Sequence, residues 1–331
     1  FEYTRTPQGC ANSPAAFQRL LDYITRALPG THVYMDDVII CANSHEDMLA
    51  RLSALFARFR KYGMKCRLSK LQLAAAEVNY LGYNVTRSGV RPGEAKTKAI
   101  AAWLPPTSVR EIKQFLGLCS FFRRTIPQFA TIAEPLLALT RKQTSSFPSP
   151  LPADALAAFN RLKHLLSSRP CLKAVDFSRP FILTCDASTC GLGAVLSQAS
   201  ADGIEHPCAY ASRTLAASER NYAPFHLEHL AMVWACNHFR PYLIGREFTI
   251  RTDHKPLVPL NSTHSKSLER LLAELDSFLP YKVEYLKGSI TPADGLSRAP
   301  MSLSAFSSQF ISLPELKSLQ RADSDCKALY C

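Results

Sequence analysis

Six acidic residues stand at a turn, at strand ends, on a helix face and at a helix start, where they could support phosphoryl-transfer chemistry. Asp36 and Asp37 are adjacent and lie between two short apolar runs, Val33-Tyr34-Met35 and Val38-Ile39-Ile40. That pattern predicts a β-hairpin with both acids at its turn. Asp186 follows the strand-like run Phe181-Ile182-Leu183-Thr184-Cys185, and Asp253 follows Phe248-Thr249-Ile250-Arg251-Thr252. Asp294 opens a helix after Pro292, so these three acids can reach one rim of a sheet. Glu228 has Ala231, Met232 and Ala235 one and two helical turns further on, which turns it towards an apolar core. A buried carboxylate is costly unless a partner or metal offsets its desolvation. Hydrolysis or transfer at a nucleic acid commonly uses two divalent metals about 4 Å apart. Mg²⁺ takes hard carboxylate oxygens and keeps several waters, so a few clustered acids suffice. Taken singly, each acid also fits a solvated turn or one ion pair.

Composition narrows the setting. A chain of 331 residues is long enough for two or three domains with their own cores. It starts at Phe1 and stops at Cys331 inside a helical-looking run, and so reads as part of a longer polypeptide. No apolar run approaches the roughly 18 residues of a membrane span, and nothing reads as a signal peptide. The 11 cysteines are scattered without zinc-like spacing, which suits reduced thiols. The net charge of +12 is uneven: residues 1–150 carry 20 Lys/Arg against 10 Asp/Glu, residues 151–331 carry 19 against 17. The first half is the better candidate for gripping a polyanion.

The elements that must position the acids follow from periodicity. Pro7-Gln8-Gly9 reads as a turn, and Asn12-Ser13-Pro14 as a capped helix start carrying Phe17, Leu20, Leu21 and Ile24. An amphipathic helix is expected over 44–70, with Leu49, Leu52, Leu55, Phe56 and Phe59 on its apolar face and an end near Gly63. Residues 73–90 alternate and turn at Arg87-Ser88-Gly89, a second hairpin. Two or three helices run from Pro92 to about Lys142, broken at Pro105-Pro106 and Pro127. A Ser/Pro linker at 143–152 precedes a helix at about 153–167. Beyond it come three strands and a long helix over Ser218–Leu243. A strand, a helix over Lys266–Phe278, a strand and a last helix complete the order. His226 and His229 flank Glu228 without HExxH spacing and read as ordinary helix histidines.

The combination Arg5-x-Pro7-Gln8-Gly9-x-x-Asn12-Ser13-Pro14-x-x-Phe17-Gln18, followed by Tyr34-Met35-Asp36-Asp37, resembles the palm of reverse transcriptases. Val78-Asn79-Tyr80-Leu81-Gly82-Tyr83, Phe115-Leu116-Gly117-Leu118, Phe122-Arg123-Arg124-Thr125-Ile126-Pro127 and Ala293-Asp294-Gly295-Leu296-Ser297-Arg298 extend the likeness. The wording is similar to gypsy-type LTR retrotransposon Pol polyproteins over residues 1–300.

The resemblance implies a partial palm at 1–92, a helical thumb at 93–143, a linker and connecting helix at 144–178, an RNase H-like domain at 179–299 and a tail towards an integrase at 300–331. The expected architecture is therefore α+β and α/β multidomain, ending in a mixed sheet with flanking helices. Asp36 and Asp37 correspond to the palm's metal pair, and Asp186, Glu228, Asp253 and Asp294 to the metal ligands that hydrolyse RNA in an RNA–DNA hybrid. Gln8, Gly9, Tyr34, Met35, Leu81 and Gly82 correspond to the nucleotide and template-primer surface. Lys96, Lys98, Lys113, Arg123 and Arg124 correspond to a basic thumb face on duplex phosphates. Two Mg²⁺ ions per site, or Mn²⁺, are the implied cofactors. Primer-template, RNA–DNA hybrid, dNTP and the protease and integrase of Pol are the implied partners, in intracellular particles of the cytoplasm or the nucleus. The family also supplies a third palm acid upstream of Pro7-Gln8-Gly9, so residues 1–331 alone are expected not to polymerise. A non-catalytic nucleic-acid-binding relic is the alternative. Arg270-Leu271 stands where the family usually has Arg-Trp, away from every implied ligand.

Overall fold

The computed structural model describes residues 9–141, 147–148, 150–168, 171–252 and 266–285. Three cores follow one another along the chain. The first is small. Helix α1 (Ser13–Thr25) and α2 (His45–Lys61) bury Leu21, Ile24, Leu55 and Phe59 against the hairpin of β1 (Thr31–Tyr34) and β2 (Asp37–Ile40). Pro14 starts α1 as expected, but the Asn12 side chain makes no cap; backbone bonds from Ser13 to Cys10 and from Ala16 to Asn12 close the first turn. α2 is capped by Ser44, whose hydroxyl accepts from Asp47 N, and it ends before Gly63. Its expected apolar face is only partly used: Leu55 and Phe59 are buried, whereas Leu49 and Phe56 are exposed.

The alternating stretch that follows forms a three-stranded antiparallel meander, one strand more than a hairpin. Its strands are β3 (Glu77–Tyr80), β4 (Tyr83–Thr86) and β5 (Gly89–Pro92). Leu81 and Gly82, both at positive φ (51° and 80°), form a two-residue turn whose twist matches the strands. Helices α3 (Glu94–Ala102), α4 (Val109–Phe121) and α5 (Phe129–Arg141) come next, with the breaks near Pro105-Pro106 and Pro127. α6 (Ala153–Ser167) packs into the same core, contributing Phe159, Leu162 and Leu166 beside Ile112, Phe115 and Phe122.

The third core is organised by a five-stranded sheet in the order β10-β9-β6-β7-β8. β6 (Phe181–Ala187), β7 (Gly191–Ala199) and β8 (Glu205–Thr214) are antiparallel, and β9 (Phe248–Thr252) and β10 (Tyr281–Tyr285) run parallel to β6. The helix expected over Ser218–Leu243 is broken. A 3₁₀ turn at Glu219–Asn221 precedes α7 (Pro224–His238), and a short α8 (Arg240–Leu243) follows. Pro224 and Pro241 cannot donate an interior helix bond and are tolerated only in a first turn, so each starts a new helix. Ser218 accordingly provides no side-chain cap. α7 packs on β6 and on α9 (Lys266–Asp276). No helix among the described residues is long and apolar enough to cross a membrane.

Candidate active sites

The first acidic site is the turn of the β1–β2 hairpin. Tyr34 pairs with Asp37, which leaves Met35 and Asp36 as the two turn residues. Asp37 is thus the first residue of β2, not part of the turn as expected, because the closing pair of a two-residue hairpin consumes it. Met35 has φ +50°, and Tyr34, Met35, Asp36 and Asp37 are all exposed. Gln18 of α1 holds this turn from outside: its Oε1 accepts from Met35 N at 2.5 Å and its Nε2 donates to Val33 O at 3.2 Å. Burial, and then the Asp37 carboxylate, push the Tyr80 phenol above its ordinary range. Gly9, at φ +91°, is exposed with open space around it, and Gln8 lies outside the described residues.

The basic residues divide by environment. Lys96 Nζ sits 3.6 Å from the centre of the Phe121 ring, and a Cβ at Gly82 would meet that ammonium at 2.6 Å. Lys98 pairs with Glu94 at 3.5 Å on an exposed face, and Lys113 is exposed on α4 beside Arg110 and Gln114. Arg123 and Arg124 instead reach the third core. Arg123 Nη2 donates to Ser212 O at 2.5 Å, and Arg124 Nη2 to the Tyr242 hydroxyl at 2.9 Å.

The second acidic site lies at one end of the five-stranded sheet. β6 delivers Asp186 directly after the buried Cys185, and α7 delivers Glu228 from the face that buries Ala231, Met232 and Ala235. α7 packs on β6, the strand that carries Asp186. Burial, and then Cys236 and the carboxylates of Glu228 and Asp186, push the Cys185 thiol well up. A Glu228 oxygen is itself buried. His229 is buried with Nδ1 2.8 Å from Phe225 O; a carbonyl only accepts, so Nδ1 carries the proton. Asp253 and Asp294 lie outside the described residues, and among the described residues no group of three or more His, Cys, Asp or Glu is placed to hold a metal ion by itself. Asp186 and Glu228 are hard oxygen donors of the type that Mg²⁺ takes. The donor chemistry fits a divalent metal.

Two residues of this geometry escape sequence reasoning. Gln128, at φ +47°, donates from Nε2 to Asp186 Oδ2 at 2.9 Å across 58 residues of chain. Ser212 Oγ accepts from Ala130 N at 2.9 Å in a buried contact. Neither carries a local signal, since each acts through a distant element. Gln18 sits inside the palm-like motif, yet only the packed hairpin reveals what it binds.

Two family models match the chain. Residues 1–85 match the family model "Reverse transcriptase (RNA-dependent DNA polymerase)", and residues 176–278 match "RNase H-like domain found in reverse transcriptase". The chain is similar to retrotransposon Pol polyproteins. It is 40% identical over 303 residues to the retrovirus-related Pol polyprotein from transposon 297 of Drosophila melanogaster, covering 90% of this chain and 28% of that relative. It is 37% identical to that from transposon opus of the same fly, covering 98% of this chain and 34% of the relative, and 35% identical to that from transposon gypsy over 90% and 30%. The chain thus spans about a third or less of these curated relatives. Among solved structures, the foamy viral protease-reverse transcriptase in complex with RNA/DNA hybrid superposes with TM-score 0.73 at 22% identity, over 94% of this chain and 42% of that one. The same enzyme's dRH form with double-stranded DNA gives TM-score 0.74 at 23% identity, over 86% and 51%. These likenesses concern the fold.

Proposed function

We propose that this chain hydrolyses the RNA strand of RNA–DNA hybrids at the site built on Asp186 and Glu228. Asp253 and Asp294, by their match to the family motif, complete the ligand set. The observation that carries this reading is the packing of α7, which bears Glu228, on β6, which bears Asp186, so that a helix and a strand far apart in sequence bring the two acids to one unit. Carboxylates brought together at an apolar wall repel one another unless a cation neutralises them. Two Mg²⁺ ions, with Mn²⁺ as a substitute, would activate water and stabilise the leaving oxygen when bound. The protein's part is to hold the acids on a rigid sheet and helix, so that no reorganisation is needed as charge develops.

The first acidic site supplies the palm hairpin of the polymerase. Asp36 and Asp37 are its metal pair, Tyr34, Met35, Leu81 and Gly82 its primer-side surface, and Gln8 and Gly9 its nucleotide and template-side turn. α3 to α6 form the thumb unit, with Lys98 and Lys113 on the face offered to duplex phosphates and Lys96 beside the Leu81-Gly82 turn. Arg123 and Arg124 contribute by joining the thumb to the nuclease unit. Primer-template, hybrid and dNTP are the ligands, and the protease and integrase parts of Pol are the neighbours, within intracellular retroelement particles. The test is cleavage of a labelled RNA–DNA hybrid with Mg²⁺ by the chain and by Asp186→Asn. Cleavage by the parent alone is expected; no cleavage by the parent, or equal cleavage by both, rules out this assignment.

A further inference from the structure

The segment between the 3₁₀ turn at Arg123–Thr125 and α5 lies across three neighbouring strands of the nuclease sheet. Asp186 of β6 pairs with Gly193 of β7, and Gly193 pairs with Ser212 of β8, so these residues form one cross-strand row. The segment binds both ends of this row. At the β8 end, Arg123 donates to Ser212 O, and the Ser212 hydroxyl accepts from Ala130 N. At the β6 end, Gln128 Nε2 donates to Asp186 Oδ2. In the middle Gly193 presents no side chain; a Cβ there would stand 3.6 Å from Gln128 Cγ. Gln128 reaches the acid from a left-handed backbone conformation, φ +47°, that L residues other than Asn, Asp and His seldom adopt. The contacts on both sides hold it in that conformation.

We infer that Gln128 is a positioning residue for the nuclease site, supplied by the thumb unit to orient the Asp186 carboxylate for metal binding. This rests on the reading of Asp186 as a metal ligand. A carboxylate ligand is usually fixed by a hydrogen bond to its second oxygen, and losing such an outer partner commonly costs 10–100-fold in metal affinity. The Gln128 amide is a donor towards Asp186, at its Oδ2 oxygen. Hydrolysis at the sheet is thereby linked to docking of the thumb. When the thumb segment lifts from β7 and β8, Asp186 loses its orienting donor.

The test is Mn²⁺ affinity of the full chain by titration calorimetry, with hybrid cleavage measured against Mn²⁺ concentration. Gln128→Ala is expected to raise the Kd about tenfold and to recover its cleavage rate at saturating metal. Gln128→Glu, which sets a second carboxylate against Asp186, is expected to bind more weakly than the parent at neutral pH. Thr131→Ala, in the same segment beside Gly191, is expected to keep the parent's Kd. An unchanged or lower Kd for Gln128→Ala, or an equal rise for Thr131→Ala, overturns the inference while leaving the nuclease reading intact. A parent chain that binds no Mn²⁺ overturns both.

Discussion

The backbone N–H of Met35 and the side-chain carbonyl of Gln18 meet at 2.5 Å, so the acid-bearing turn is held by α1 as well as by its own strands. The hairpin's strands are four residues each, and short isolated hairpins are marginal in water. Removing the clamp by Gln18→Ala is expected to cost about 0.5–1.5 kcal/mol and to speed hydrogen exchange at Met35. Urea unfolding and exchange at that amide measure both; unchanged protection at Met35 would show that the strands suffice.

Gly89 begins β5 at φ +144°, and a Cβ there would stand 2.1 Å from Leu172 O. Leu172 bridges to Val90 through backbone bonds in both directions, 2.8 and 2.9 Å, which ties the meander to the segment leading into β6. Gly89→Ala therefore combines an unsuitable backbone conformation with a backbone collision. Its expected cost exceeds about 1 kcal/mol, read as a lower denaturation midpoint. A midpoint equal to the parent's would mean that the bridge is dispensable.

Partial burial and the guanidiniums of Arg123 and Arg124 hold the His238 imidazole below its ordinary range. Its folded pKa is thus lower than its unfolded one. Between the two values the unfolded chain binds more protons, so stability rises with pH there. The contribution is complete above about pH 6.5 and is lost as pH falls through the folded pKa. The melting temperature is expected to drop on acidification through this window, and His238→Gln should flatten that drop. An identical profile for the variant would assign the effect to other groups.

Thiol chemistry offers an independent check on the cores. Burial pushes Cys119 and Cys236 up to about 12, Cys208 up to about 11, and Cys185 well up. A thiol held protonated in a core is a poor nucleophile. Native alkylation followed by mass spectrometry is expected to label the exposed Cys10, Cys41, Cys66, Cys171 and Cys190 and to spare those four until denaturant is added. Rapid native labelling of Cys185 would place the Asp186 strand end in solvent.

The strands and helices were largely legible before folding, because their signals are local. The run Phe181–Cys185 is five strand-formers in a row, and β6 covers it. Glu228 is visible as an acid on an apolar face because helical spacing alone puts it with Ala231, Met232 and Ala235. Local signals also mislead where two compete. The apolar pattern over Ser218–Leu243 favours one helix, yet Pro224 and Pro241 impose starts that the pattern does not see. Leu49 and Phe56 have helical spacing as good as Leu55 and Phe59, but the small first core has no partner for them among the described residues.

What only the tertiary structure decided are the pairings between distant elements. No spacing rule relates Gln128 to Asp186, Arg123 to Ser212, or Gln18 to the Met35 turn, since each bond depends on how a unit docks. Resemblance marked Arg123 and Arg124 as phosphate contacts, whereas their bonds to Ser212 and Tyr242 make them struts between the second core and the third. The acids of Tyr34-Met35-Asp36-Asp37 and of the Asp186–Glu228 site belong to the sequence, because residue type and period place them. Their surroundings belong to the fold. Hydrogen bonds across tens of residues form only after packing has brought their ends together and met the conformational entropy of doing so.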